Sequence, residues 1–86
     1  MTASVGRQLW RAPVRDISIE GLSLVLDQPV EPGAVLPVEL PNRRWNCCHL
    51  KLLRVVHATP QPDNRWLVGS TFVRALSEDE FQALVG

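Results

Sequence analysis

The chain has no net charge: nine Lys and Arg stand against nine Asp and Glu in 86 residues. A protein that holds nucleic acid by bulk electrostatics is basic, so DNA and RNA drop out of the expected partners. Long apolar runs are missing as well. None approaches the ~20 residues that cross a bilayer as a helix, which excludes a membrane span of that kind. The opening stretch, residues 1–14, lacks the apolar segment and small-residue cleavage site of a secretory signal. Cysteine is scarce and badly placed for a bridge, because Cys47 and Cys48 are adjacent and neighbours on a strand point to opposite faces. Without a disulfide framework the expected location is the cytoplasm, either as a free domain or as the cytosolic part of a longer protein. There is no glycine-rich phosphate loop, no Gly-x-Ser-x-Gly elbow and no internal repeat, so the familiar nucleotide-hydrolysing and esterase signatures are excluded.

What is present is a composition that folds. Hydrophobic residues make up 45% and charged residues 21%, near the globular norm, and the length suits a single domain over 1–86 with one modest core. Leu22, Leu24 and Leu26 alternate with Ser23, Val25 and Asp27 at strand spacing. Pro29 to Gly33 is a turn signal, since proline presets φ and glycine tolerates conformations other residues avoid. Leu36, Val38 and Leu40 alternate next. Pro37 cannot donate to a ladder, which predicts an edge or bulged strand there. Cys48 to Val56 reads as the longest strand, bent or bulged where Lys51 and Arg54 interrupt the pattern. Residues 59–64 form a loop, and 65–73 a further strand with Gly69 at a bend or close approach. The period then changes. Ser77 and Glu80 form a capping box, and Phe81, Leu84 and Val85 make one apolar helical stripe. The expected fold is mainly β, a small antiparallel (split) β-barrel with a C-terminal α-helix, and residues 1–8 as an N-terminal arm.

Enzyme chemistry finds little support. Cys47, Cys48, His49 and His57 are the only metal or thiol candidates. A zinc site needs four suitably spaced ligands, whereas cysteine also serves as a small core residue and His57 beside two valines suits an ordinary strand position. The expectation is no catalytic constellation, no metal and no cofactor. Charge is balanced overall yet sorted along the chain. Residues 1–15 hold three arginines and no acid, 16–39 hold five acids and no base, and 40–62 are basic again. Pairing between facing strands accounts for most of that sorting.

The informative segment is Arg7-Gln8-Leu9-Trp10-Arg11 followed by Asp16-Ile17-Ser18-Ile19-Glu20-Gly21. Here the chain resembles the PilZ family, bacterial modules that recognise cyclic di-GMP, whose signatures are Arg-x-x-x-Arg and then Asp/Asn-x-Ser-x-x-Gly. Similarity continues through Glu31-Pro32-Gly33, Leu53 to Val56, Gly69 to Phe72 and the helix at 77–85. The resemblance implies a cyclic di-GMP receptor module that passes its signal to a protein partner or fused effector domain. It also implies a site in which Arg7 and Arg11 hold guanine and phosphate opposite Asp16, Ser18 and Gly21. These residue types suit the ligand: an arginine fork binds phosphate or the O6/N7 edge of guanine, and a carboxylate accepts from its Watson–Crick edge. Only Ala12 to Arg15 separate the two motifs, where the family usually has a whole strand. Either the first strand is missing, or Arg7 and Arg11 lie on the strand leading into Asp16 and match the arginine motif by chance. The alternative function is therefore a degenerate PilZ-like domain without nucleotide binding, used as a protein-interaction module.

Overall fold

The computed structural model describes residues 1–6, 10–42 and 47–85. Six strands and one helix follow in order: β1 (Thr2–Val5), β2 (Trp10–Ile17), β3 (Gly21–Leu26), β4 (Val35–Asn42), β5 (Cys47–Pro60), β6 (Trp66–Phe72) and α1 (Glu78–Val85). The strands form a closed antiparallel barrel in the order β1-β2-β3-β6-β5-β4. Closure depends on β1, which pairs with β2 along its whole length and with β4 at Ser4↔Glu39 and Val5↔Val38. The first residues are thus a barrel strand, in place of the arm expected over 1–8. Arg11 lies on β2, which runs directly into Asp16.

The expected alternation sets the core. Leu22, Leu24 and Leu26 of β3 all point inward, and Leu24, Leu40, Leu53, Val5, Val38, Val55 and Val68 are fully buried. Each such side chain contributes about 1.5–3 kcal/mol by leaving water. Pro37 is not on an edge strand, since β4 pairs on both sides. Its carbonyl accepts from the Gly6 N–H at 2.8 Å, so its nitrogen faces the same way, toward the end of β1, and the ladder with β5 loses no donor. β5 is longer than its apolar pattern suggests. The irregularity falls between Val55 and His57, where Val56 bulges and shifts the register against β6. The β5–β6 turn closes with the Gln61 N–H on the Arg65 carbonyl at 2.8 Å, and Asn64 takes the left-handed conformation (φ 62°).

The capping box forms as its spacing predicts. The Glu80 N–H donates to Ser77 Oγ at 3.1 Å, and the Ser77 N–H donates to Glu80 Oε1 at 2.9 Å. The other carboxylate oxygen, Oε2, takes the Lys51 ammonium of β5, so one glutamate caps the helix and ties it to the barrel. Lys51 and then the Ser77 N–H hold the Glu80 carboxyl below its ordinary value, with burial opposing them weakly. A depressed folded pKa stabilises the fold above the unfolded value, about 4.5, and that contribution is lost as pH falls below it through the folded value. Thermal melts of Glu80→Gln against the parent chain should therefore differ at pH 7 and converge as the pH is lowered below 4.5. Ser77→Ala is expected to cost about 1 kcal/mol at pH 7, read as a lower melting temperature.

Candidate functional site

Between β2 and β3 the chain turns through Ser18 to Gly21. The Ser18 N–H donates to the Gly21 carbonyl at 2.8 Å, and the Gly21 N–H reaches Ser18 Oγ at 3.3 Å. The turn is also anchored from outside: the Glu20 carbonyl accepts from Phe72 N–H at 2.8 Å and the Ile19 carbonyl from Leu76 N–H at 2.9 Å. Asp16 and Ser18 nonetheless remain exposed. Gly21 is not needed for a positive φ, which among described glycines belongs to Gly6 and Gly33. A Cβ on Gly21 would stand 2.1 Å from the Ser70 carbonyl oxygen and 2.9 Å from Thr71 Cα. The glycine lets β3 begin hard against β6, and so places the turn at the edge of an open sheet surface.

That surface is a groove of about 360 Å³ on the outer barrel wall, lined by the β2–β3 turn on one side and by Val56 and His57 of β5 on the other. Pairing register puts four residues in one row across it: Asp16 faces Ser23, Ser23 faces Gly69, and Gly69 faces His57. Three strand spacings separate the ends, roughly 14 Å between Cα atoms. The bulges at both ends matter. One falls between Val14 and Asp16, the other between Val55 and His57, and each turns a polar side chain outward that strict alternation from the preceding buried valine or half-buried Val14 would place elsewhere. At its centre Gly69 has no side chain, and the His57 ring occupies the space above it. Ser23 Oγ donates to Asp16 Oδ2 at 3.4 Å, a long bond that leaves the carboxylate free to accept from a ligand. Ser70, by contrast, spends its hydroxyl on the Leu22 carbonyl at 2.7 Å and is buried.

The structure brings Asp16, Ser18 and Gly21 together in this groove. Arg11 is not among its lining residues. It borders a neighbouring groove on the same outer wall with Pro13, Val25, Asp27 and Arg65, and a third depression alongside holds Arg15, Val25 and Arg65. Three arginines therefore gather around Val25, two residues along β3 from Ser23. Arg7 lies outside the described residues. Trp10 and Trp66 are not in the Asp16 groove, and Trp45 lies outside the described residues. Sequence reasoning missed Ser23, Gly69 and His57 as parts of one surface; the signal for the last two was a mid-strand glycine opposite a histidine, visible only with the register.

The remaining polar candidates have structural neighbours. His49 Nε2 lies 2.9 Å from Asn42 Nδ2, and His49 Nδ1 lies 3.9 Å from Glu80 Oε2, on the face of β5 toward the helix. Cys48 is exposed rather than packed in the core, and the Cys47 side chain lies outside the described residues. Among the described residues no group of His, Cys, Asp and Glu is arranged to hold a metal ion, and no helix is long and apolar enough to cross a membrane.

Comparison with known proteins agrees with this architecture. No curated protein and no solved structure matches the chain. A family model described as the PilZ domain matches residues 1–86, the whole chain, and the closed β-barrel with its C-terminal helix is the fold that match implies. By sequence and by fold, this chain belongs to the PilZ domain family.

Proposed function

We propose that the chain is a cyclic di-GMP receptor module of the PilZ type, acting by binding rather than by catalysis and working in the cytoplasm. One observation carries the reading: Asp16 and Ser18 stand exposed on one rim of a solvent-open groove. A guanine laid in that groove beside the His57 ring meets Asp16 with its N1–H and N2–H₂ donors, and Ser18 adds a hydroxyl at the same edge. Gly21 sets the turn close enough to the sheet for both to reach. The phosphates and the second guanine then extend along the outer wall toward Arg11, Arg15 and Arg65, where an arginine can bind phosphate bidentately or stack on a base. Arg7 belongs to the same set through the Arg-x-x-x-Arg motif. The signal passes to a protein partner or a fused effector domain.

A second reading, a PilZ domain without nucleotide that serves as a protein-interaction module, is favoured by one fact: Arg11 lines a different groove from Asp16. Calorimetric titration with cyclic di-GMP separates the two. The receptor reading expects saturable binding that weakens at least tenfold in Asp16→Ala and in Arg11→Ala. Absence of heat at high ligand concentration, with the parent chain folded, sinks it in favour of the interaction module.

A further inference from the structure

Every side chain lining the Asp16 groove is acidic, neutral or apolar except His57. The ligand carries two phosphates, so a groove that engages it gains from a cation, and the arginines stand in the neighbouring depressions. His57 is exposed, and its side chain makes no hydrogen bond to another described residue. Its ring reaches across from β5 over β6. A Cβ on Gly69 would lie 2.4 Å from Nε2 and 2.6 Å from Cε1, so the tip of the imidazole occupies the space that the glycine leaves open. The tip points along the Asp16–Ser23–Gly69–His57 row toward the carboxylate wall. We propose that His57 is the second clamp of this groove, donating from Nε2 to a phosphate of the dinucleotide whose guanine rests on Asp16 and Ser18, and that binding therefore strengthens when the imidazole is protonated. The inference rests on the receptor reading above and adds a residue outside the family's two motifs.

The charged groups around His57 are few. Arg54 precedes it on the same outer face of β5, opposite Thr71. Beside it β6 presents Leu67, Gly69 and Thr71, none of them charged, with Arg65 just ahead of the strand. On the other side of β5, Glu31 sits in the turn before β4, which is bound to β5 through the Gly33 N–H and the Val55 carbonyl at 2.8 Å. Asp16 is the acid across the groove. Histidine is the side chain that changes charge between pH 8 and pH 5, and a charge-assisted donor to phosphate is stronger than a neutral one. The other histidine, His49, faces the helix side of β5 and is engaged with Asn42, so it does not enter the groove.

The test is calorimetric titration of the whole chain with cyclic di-GMP at pH 6.0 and pH 8.0 at constant ionic strength. The parent chain is expected to bind about five- to tenfold more tightly at pH 6.0. His57→Gln should bind equally at both values, near the parent's affinity at pH 8.0, with an unchanged melting temperature. Gly69→Ala keeps the imidazole but pushes its tip out of the row, and should flatten the pH response in the same way. Guanosine, which has no phosphate, should show no difference between the two pH values. Equal affinity of the parent chain at both pH values, or a pH response that survives in His57→Gln, overturns the role of His57 and leaves the receptor reading standing. No binding by the parent at either pH overturns both.

Discussion

Gly21→Ala is expected to lower the melting temperature by roughly 15 °C, an effect of about 3 kcal/mol from a single methyl group. The added Cβ meets the Ser70 carbonyl oxygen at 2.1 Å and Thr71 Cα at 2.9 Å, and both are backbone atoms of the paired strand β6. A flexible side chain could swing aside; a strand held by pairs from Gly21↔Thr71 to Leu26↔Trp66 has to shift as a unit. Gly33→Ala is the matched control. Gly33 has a positive φ of 91° but open space around its Cβ position, so alanine there should cost only about 1 kcal/mol of backbone strain. A melting temperature for Gly21→Ala equal to that of Gly33→Ala would mean that β3 does not begin hard against β6. Because the same contact sets the Ser18 turn beside the groove, Gly21→Ala should also weaken cyclic di-GMP binding under conditions where it remains folded.

Leu84→Pro should abolish cooperative melting. Leu84 is fully buried on the inner face of α1, and its loss alone is worth about 2–5 kcal/mol. Proline adds about 3 kcal/mol or more, because it removes the bond from residue 84 to the Glu80 carbonyl and its ring collides with that carbonyl. Together these match the whole stability of a domain this size, about 5–15 kcal/mol. Glu80 is also the residue that holds the helix to β5 through Lys51, so the break falls at the attachment point. Leu84→Ala, which keeps the helix, should leave a cooperative transition at lower temperature. Unaltered melting of Leu84→Pro would show that α1 is not part of the folded core.

Much of this architecture was legible because local signals and tertiary demands agree. The Leu22-Leu24-Leu26 alternation became an inward face, and Ser77 and Glu80 cap each other as their spacing predicts. The N-terminal strand was not legible: Thr2 to Val5 is short and has no turn residue ahead of it, and its pairing with β4 is a contact between distant parts of the chain. Pro37 misled for a related reason. Its effect depends on which neighbour its nitrogen faces, and that is a property of register. In the groove, Asp16, Ser18 and Gly21 follow from a local motif, whereas His57 enters through a bulge at Val56 and the vacancy over Gly69. The spacing of Arg11 from Asp16 along β2 was readable, but not that Arg11 would share a depression with Arg65.

If the chain is the proposed receptor, the outer wall across β2, β3, β6 and β5 is its ligand face. Amide chemical-shift mapping by nuclear magnetic resonance during titration with cyclic di-GMP checks this. The largest changes are expected at Asp16 to Ser23, at Gly69 to Thr71 and at Val56 and His57, with α1 and the outer side of the β4–β5 hairpin nearly silent. Saturable shifts centred on Leu50, Leu52 and the helix, with the Asp16 row unmoved, would contradict it.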